Sequence, residues 1–353
     1  KRLVEDGHQI KIIVLHKKIA KNIKTDWLKK VDIQFLSPKY KILTIYKLRK
    51  IIKASKPNFV YSHGSLPAFC TILALYNLYI PFAIRLYGTF LVNYIQKNHF
   101  LAIMKFPYEI VAFNSLCKFI MITNDGTKGN LVYKKFCYRK NINKLIFWEN
   151  GVSKFSILNY KNFINNNKND TINICYPARY DPWKRQDKVL QFASILINRG
   201  YDINVTFCGH IYDLKYYNSL VSYSDKLNIK KYVTFEKQLS KSDLNHLIIS
   251  SDVVPFFYDY SNYGNVFIEC CLLGSFIIVL DDSSTHSFTA GNDVCVLVKD
   301  EIEAVEKFIY YFNNPSMINT IKSRCMEHAS IYFEHWNTRV NKEISLLSNY
   351  FNG

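Results

Sequence analysis

The stretch most clearly suited to chemistry places one carboxylate in an otherwise apolar helix: Ser261-Asn-Tyr-Gly-Asn-Val-Phe-Ile-Glu269-Cys-Cys-Leu-Leu-Gly274. The pattern predicts a helix over about 265–273, capped by Asn262 and ended by Gly274. An unpartnered buried carboxylate costs roughly several kcal/mol, so we expect Glu269 to face a polar group. A core helix whose Glu pairs with a structural Arg is the alternative.

The start of this predicted helix favours a phosphate. Gly264 and Asn265 offer free backbone N–H groups there, just after a predicted buried strand at 252–257. In an α/β sheet, phosphorylated ligands bind where a helix begins beyond the end of a strand. Asn265 also lies one turn before Glu269 on the same helix face.

Two cations follow another predicted strand, at 171–177. Arg179 and Lys184 flank a tight Asp-Pro turn that precedes a predicted helix at 188–199. Arg supplies a planar fork and Lys a point charge, a combination suited to a diphosphate. The alternative is a pair of solvated loop cations, since most Lys and Arg side chains are exposed.

These motifs resemble the retaining glycosyltransferases of family 4, which have the GT-B fold. The resemblance rests on Arg179-x4-Lys184 followed by Asn262-Tyr-Gly-Asn-x3-Glu269, and it is strong over residues 171–345 and looser before them. Further matching segments are Phe147–Val152, Val205–Gly209, Val233–Ser240 and Ile331–Trp336, with Arg339 and Glu343 after the last.

The resemblance implies a role for each matching position. Arg179 and Lys184 would bind the donor diphosphate, Glu269 the donor ribose, and the Gly264 and Asn265 amides the phosphates. Ser261 and Asn262 would lie at the donor, and Phe235 and Lys237 belong to the strand and loop that hold the nucleobase. The acceptor side would include His63, Tyr87, Gly88, Asn124 and Asp125.

Two positions depart from the family pattern. Ser261 stands where the family often has a Glu on the donor sugar, and Tyr87 stands where it has a His. His63 ends a neighbouring strand and could face the same cleft, although a lone His is more often structural. These departures favour an alternative function, a catalytically silent sugar-nucleotide-binding subunit of a glycan assembly complex.

The implied enzyme is a hexosyltransferase-type glycosyltransferase (EC 2.4) that extends a glycan or lipid-linked acceptor in cell-surface polysaccharide biosynthesis. Transfer would proceed by front-face displacement, with Arg179 and Lys184 stabilising the departing diphosphate. No Asp-x-Asp triplet occurs in the sequence, so we expect no metal and no cofactor beside the nucleotide-sugar substrate.

The net charge of +18 is distributed unevenly. Residues 1–167 hold 28 Lys and Arg against 7 Asp and Glu, whereas residues 168–353 hold 18 against 21. The first half therefore carries +21 and the second −3, which predicts a polyanionic partner for the first half. We expect an anionic membrane surface, contacted by residues 94–113. Lysines that decorate a soluble surface are the alternative, and nucleic acid is not expected because no binding motif occurs.

Nine cysteines without a Cys-x-x-Cys pair indicate buried thiols in a reducing compartment. With the basic first half, they predict a cytoplasmic protein that is peripheral on the inner face of the plasma membrane.

Alternating strands and helices predict an α/β protein of two Rossmann-like, doubly wound domains facing a central cleft. The expected order is an acceptor-binding domain at 1–158, a linker at 159–170, a nucleotide-sugar domain at 171–330, and a helix at 331–353 that returns toward the first domain. Strands of the first domain are predicted at 10–15, 59–62, 82–87, 119–123 and 144–147.

The sequence opens on Lys1-Arg-Leu-Val-Glu-Asp-Gly7, which resembles the end of the first helix of a Rossmann unit with Gly7 as its C-cap. The first, central strand of the N-terminal domain would then be missing. We therefore expect the chain to be a fragment of a longer reading frame.

Overall fold

The computed structural model describes residues 1–16, 26–96, 99–138, 144–153 and 171–351. The chain divides into two compact units: the first comprises Lys1–Asn124, Lys128–Glu149 and Arg339–Gly353, and the second Asp125–Thr127 and Asn150–Thr338. The linker predicted at 159–170 lies outside the described residues. The functional labels of the predicted domains stay predictions.

The first unit contains six described strands in two parallel sheets. β1 (Lys11–Val14) pairs with β2 (Asp32–Phe35). The second sheet has the order β3 (Val60–His63), β4 (Phe82–Leu86), β5 (Ile120–Asn124) and β6 (Leu145–Glu149). Its helices are α1 (Arg2–Glu5), α2 (Lys41–Ser55), α3 (Ser65–Ala74), α4 (His99–Lys105), α5 (Pro107–Phe113) and α6 (Gly129–Phe136).

The five strands predicted for this half are confirmed, with bounds that differ by one or two residues. β4 is buried along its whole length, as expected of a parallel strand covered on both faces. The sequence analysis missed β2, whose Asp32-Ile-Gln-Phe35 is too short to stand out from a loop. Among the described strands, β1 and β3 are edge strands of separate sheets.

The second unit begins with β7 (Ile172–Pro177), α7 (Gln186–Asn198), β8 (Ile203–Cys208), α8 (Leu214–Lys226), β9 (Val233–Glu236) and α9 (Lys241–Ile249). It continues with β10 (Val254–Phe256), α10 (Asn265–Leu272), β11 (Ile277–Leu280), α11 (His286–Thr289), β12 (Val296–Val298), α12 (Glu301–Phe312) and α13 (Pro315–Tyr332). The last helix, α14 (Trp336–Phe351), lies mostly in the first unit.

Two three-stranded parallel sheets meet side by side in the second unit. Their orders are β7-β8-β9 and β10-β11-β12, and a parallel bridge between Ile174 and Val253 joins them. The combined order β9-β8-β7-β10-β11-β12 is that of a doubly wound sheet, in which the connections reverse direction between β7 and β10. Ligands of such sheets bind beyond the carboxyl ends of the strands at this reversal point.

No described helix has both the length and the apolar character needed to cross a bilayer. The described residues also contain no cluster of three or more His, Cys, Asp or Glu side chains arranged to hold a metal ion. None of the nine cysteines, all of which lie in the described ranges, forms a disulfide.

Candidate functional site

The loops that follow β7 and β10 meet at the reversal point of the second sheet. The Trp183 ring stacks on the Tyr260 ring with centres 4.8 Å apart. The Asp259 N–H donates to the Trp183 carbonyl over 3.0 Å, and the Arg185 guanidinium contacts the Asp259 carboxylate at 2.7 Å. The fold therefore joins the two stretches that the sequence analysis singled out separately.

Arg179 lies immediately beyond β7, and its backbone is tightly fixed. A Cβ added at Gly209 would come within 2.3 Å of the Ala178 carbonyl oxygen and 2.8 Å of the Arg179 nitrogen, so only glycine allows this approach. The Gln186 side-chain amide donates to the Arg179 carbonyl over 2.9 Å. These contacts hold the start of the Asp-Pro turn in place.

The Arg179 guanidinium is about half exposed and paired. Its Nε and Nη2 atoms lie 3.1 and 3.0 Å from Asp181 Oδ2. The guanidinium carbon is 4.8 Å from the Tyr212 ring centre and 5.6 Å from that of Trp183. The side chain is thus held by a carboxylate and two aromatic rings.

Lys184 is half-buried between two aromatic rings. Its Nζ lies 3.7 Å from the centre of the Trp183 ring and 3.5 Å from that of Tyr258. Burial, and next the charge of Arg179, lower the pKa of Lys184 to about 7, against the opposing effects of Asp181 and Asp125. The predicted pair of cations therefore shares one electrostatic environment.

Ser261 and Asn262 are buried in the loop that follows β10, which we call the second loop, and their side chains bond to backbone groups. Ser261 adopts a left-handed backbone, with φ of 60°, and its buried hydroxyl donates to the Asp125 carbonyl. The Asn262 side chain is fully buried; it accepts from the Tyr258 N–H over 3.0 Å and donates to the Tyr258 and Leu280 carbonyls over 3.2 Å. The prediction that Asn262 caps the following helix is wrong, because these backbone groups occupy its amide.

Helix α10 begins after Gly264, and the predicted bounds of this helix are confirmed to within one residue. A Cβ at Gly264 would meet nothing within 4 Å, so the backbone here faces open space. The first amides of a helix have no partner within the helix. Asn265 Oδ1 accepts a hydrogen bond from the Asn150 side chain over 2.8 Å.

Glu269 does face a polar group, as expected. Its carboxylate pairs with the ammonium of Lys241 on α9. Both side chains are partly exposed, at 26% and 49%, so Glu269 is not a deeply buried core carboxylate. Its pairing with an exposed lysine differs from the core Glu–Arg alternative.

Phe235 and Lys237 occupy different environments. The Phe235 ring is half-buried and stacks on Phe207 with centres 5.3 Å apart, while Tyr217 lies 5.9 Å away. Lys237, just beyond β9, is exposed. Their role at the nucleobase stays a prediction.

The acceptor-side residues fall into separate groups. His63 is the last residue of β3, and Tyr87 directly follows β4. The His63 Nδ1 atom lies 2.8 Å from the Tyr87 hydroxyl. Gly88, next in the chain, has a positive φ of 106°. Asn124 donates from its amide to Glu149 over 3.1 Å.

Asp125 belongs to the second unit. Its carboxylate accepts from the Thr127 N–H and hydroxyl over 3.1 and 2.6 Å. Burial raises the pKa of Asp125. A Cβ at Gly126 would come within 3.0 Å of the Ser261 Cα, so this segment passes close beneath the second loop.

Several residues at these sites escaped the sequence analysis. Asp181, Trp183, Tyr258 and Tyr260 surround the two cations. The sequence could have indicated the Arg179–Asp181 ion pair, because the two residues are only two positions apart in the chain. The aromatic partners from the second loop had none, since their contacts depend on the fold.

A buried ion network in the first unit was also missed. The Glu343 carboxylate contacts the guanidinium groups of both Arg85 and Arg339, and it accepts from the Tyr61 hydroxyl over 2.8 Å. Burial and the nearby Glu343 raise the pKa of Tyr61. The network ties α14 to β3 and β4, and it borders the His63–Tyr87 pair, because the Tyr61 ring lies 4.5 Å from the His63 ring and the Arg85 guanidinium 5.2 Å from that of Tyr87.

Comparison with known proteins gives a consistent result. Residues 159–326 match the family model described as Glycosyl transferases group 1. No curated protein matches the sequence. Among solved structures, Alr3699/HepE from Anabaena, in complex with UDP and glucose, is 12% identical with a TM-score of 0.74, over 97% of this chain and 99% of that one.

Two further structures are similar. The sucrose-phosphate synthase of Thermosynechococcus elongatus is 12% identical with a TM-score of 0.75, over 99% of this chain and 91% of that one. WaaG, a glycosyltransferase involved in lipopolysaccharide biosynthesis, is 11% identical with a TM-score of 0.65, over 93% of this chain and 89% of that one. At this identity the likeness concerns the fold, and the predicted GT-B fold is confirmed.

Proposed function

We propose that the chain is a retaining glycosyltransferase, because residues 159–326 match the family model of the glycosyl transferases group 1. It transfers a sugar from a nucleoside-diphosphate donor to a glycan or lipid-linked acceptor in the synthesis of cell-surface polysaccharide. The observation that carries this proposal is the placement of Arg179 and Lys184 at the reversal point of the second sheet. The involvement of WaaG in lipopolysaccharide biosynthesis supports the polysaccharide part.

The donor diphosphate lies between the cations and the amides at the start of α10. Arg179 offers a planar fork, Lys184 a point charge, and Gly264 and Asn265 their backbone N–H groups. These groups face a developing negative charge when the glycosidic bond of the donor breaks, so they stabilise the departing diphosphate. Glu269 accepts from the ribose hydroxyls, and transfer needs neither a metal nor another cofactor.

The direct test measures UDP binding and sugar-nucleotide turnover, with UDP as the probe because the HepE structures contain it. Arg179→Ala and Lys184→Ala each remove a charge-assisted contact of roughly 1.5–3 kcal/mol, so UDP should bind about 10- to 100-fold more weakly and turnover should cease. Arg199→Ala is the control, because Arg199, just after α7, pairs with Glu306 of α12 at the surface. Unchanged UDP affinity in both loop variants contradicts the proposal.

A catalytically silent subunit is the second candidate. Two features favour it: Ser261 commits its hydroxyl to the Asp125 carbonyl, and Tyr87 stands at a family His position. A silent subunit binds UDP-sugars, which raise its melting temperature, but it neither hydrolyses nor transfers them. A screen of nucleoside-diphosphate sugars by thermal shift, followed by product analysis, separates the two functions.

We also propose that the first unit docks on an anionic membrane surface, with the protein on the cytoplasmic side. The start of α2, the segment before α4, and α4 itself expose large apolar side chains to solvent. We name these the lipid face: Tyr40, Ile42, Leu43, Tyr46, Phe90, Phe100, Leu101, Ile103 and Met104, all more than 40% exposed.

Contacts around Tyr108 join the parts of the lipid face. The Lys41 ammonium, at the start of α2, contacts the Tyr108 hydroxyl at the start of α5. The Phe69 ring lies 4.8 Å from that of Tyr108, and Phe90 stacks on Phe106 over 5.8 Å. α2 therefore extends the surface that the sequence analysis limited to residues 94–113.

Exposed lysines surround these apolar side chains: Lys39, Lys47, Lys50 and Lys105. Each Lys or Arg near an anionic bilayer contributes about 1 kcal/mol, and exposed aromatic side chains add apolar burial. A face that combines both properties fits a lipid surface better than nucleic acid, whose recognition of phosphates depends mainly on cations.

A further inference from the structure

We propose that Asp181 is the counter-ion that Arg179 exchanges for the donor diphosphate, so that Asp181 limits the affinity for the nucleoside diphosphate and thereby promotes its release. This inference rests on the proposed function of the Arg179–Lys184 site. It assigns Asp181 as a positioning residue whose charge opposes the ligand's charge.

Asp181 contacts Arg179 directly, and its charge also acts on Lys184. One carboxylate oxygen, Oδ2, receives both the Nε and Nη2 contacts of Arg179, at 3.1 and 3.0 Å. Asp181 is 6% exposed, so its charge is screened less by solvent than that of a surface carboxylate. Its charge also favours the ammonium form of Lys184.

The two ends of this ion pair differ in freedom. Asp181 is buried at the start of the Asp-Pro turn, and its backbone carbonyl accepts from the Lys184 N–H over 2.8 Å. The Arg179 backbone is fixed by Gln186, but its guanidinium is half exposed. A ligand can therefore draw the guanidinium away by side-chain rotation alone, while the carboxylate stays in place.

A diphosphate at this site competes with Asp181 for the guanidinium. Its binding gains the charge-assisted contacts of the fork but loses those to Asp181, and it places a like charge near the carboxylate. The net affinity is lower than two cations without a counter-ion would give. Product release limits turnover in many enzymes, and there a counter-ion that weakens product binding speeds the cycle.

The test measures UDP affinity by calorimetry. Asp181→Asn keeps the shape of the side chain and removes its charge, so UDP should bind about tenfold more tightly, the scale of one charge–charge interaction near a protein surface. Asp181→Glu retains the charge and should bind UDP no more tightly than the wild type. Asp225→Asn is the control, because Asp225 pairs with Lys230 at the surface, away from the two loops, and its loss should leave UDP affinity unchanged.

A double-mutant cycle shows whether the effect acts through Arg179. In an Arg179→Ala background, Asp181→Asn should give a clearly smaller gain, since the guanidinium that the carboxylate held is gone. Melting temperatures verify that each variant is folded. Unchanged or weaker UDP binding by folded Asp181→Asn, or an equal gain in both backgrounds, overturns the inference. Absence of UDP binding by the wild type instead contradicts the proposed donor site.

Discussion

Lys184 shows how a single side chain can couple ligand binding to pH. Burial and the charge of Arg179 lower its pKa to about 7, and its ammonium group lies over the rings of Trp183 and Tyr258. The other titratable groups around it are Asp181, Asp125 and Tyr176, whose hydroxyl donates to the Lys184 carbonyl. A bound diphosphate adds negative charge and raises the pKa of Lys184 again.

UDP binding should therefore take up a proton above pH 7. We expect affinity for UDP to fall as the pH rises above about 7, and calorimetry at about pH 8 in buffers of different ionisation enthalpy should detect proton uptake. Lys184→Arg should abolish the uptake, because its guanidinium stays charged. Wild-type binding without proton exchange contradicts the expectation.

The lowered pKa of Lys184 also determines how its contribution to the free energy of unfolding changes with pH. The unfolded chain keeps this proton up to about pH 10, whereas the folded, ligand-free protein releases it near pH 7. The unfolded state thus binds more protons in that window, and the contribution of Lys184 to the free energy of unfolding rises with pH across it.

Residue types predicted the cations but not their environment. Arg179 and Lys184 were evident because they follow a strand and flank a turn, and Glu269 because it interrupts an apolar helix. The Asn262 cap was wrong because Asn amides bond to whichever backbone groups are nearest, and the fold presents Tyr258 and Leu280. The stacking of Trp183 on Tyr260 joins loops far apart in the sequence, which no local pattern specifies.

At the scale of elements, α14 is held to the first unit by its ion network. Glu343 contacts Arg85 and Arg339, which are 6% and 3% exposed, and the guanidinium of Arg339 lies 4.5 Å from the Trp148 ring centre. Two buried cations share this carboxylate. Such a network is sensitive to the loss of one member, because the remaining charges cannot be solvated.

Glu343→Gln should therefore destabilise the protein by about 3–5 kcal/mol, measured by urea denaturation. Glu306→Gln is the control: Glu306 pairs with Arg199 at the surface, where exposed ion pairs contribute little. A Glu343→Gln variant as stable as this control would show that the network does not hold α14 in place.

Elements differ in how well the sequence predicted them. β3 to β6 alternate with helices and carry β-branched, apolar residues, so their positions followed from pattern alone. β2 was missed because four residues with one Asp and one Gln resemble a loop. The alternation of strands and helices predicted doubly wound sheets, but the pairing of β7 with β10, which positions the site, depends on contacts between strands that are distant in the sequence.

At the scale of the whole molecule, charge and chemistry occupy different halves of the sequence. Residues 1–167 carry a net charge of +21, yet the two cations of the proposed donor site lie in residues 168–353, whose net charge is −3. A general attraction for nucleotides would not need this separation. It is expected if one half binds an extended anionic surface while the other binds a single small anion.

Vesicle sedimentation tests this division on the full chain. The protein should sediment with phosphatidylcholine vesicles that contain phosphatidylglycerol, and salt should release it, because screening weakens contacts between exposed charges. Phe100→Ser removes an apolar side chain of the lipid face, and Lys47→Glu reverses one charge on α2. Both should weaken sedimentation without changing UDP affinity, since neither residue belongs to the donor site.

The matched controls lie on α12 of the second unit. Ile302 is 61% exposed against 64% for Phe100, and Lys307 is exposed as Lys47 is. Ile302→Ser and Lys307→Glu should therefore sediment like the wild type. If the control variants lose as much vesicle sedimentation as Phe100→Ser and Lys47→Glu, membrane contact is not specific to the lipid face. If the wild type sediments equally with pure phosphatidylcholine vesicles, its charge does not drive binding. Loss confined to Phe100→Ser and Lys47→Glu places membrane contact on the first unit and leaves the second to the sugar nucleotide.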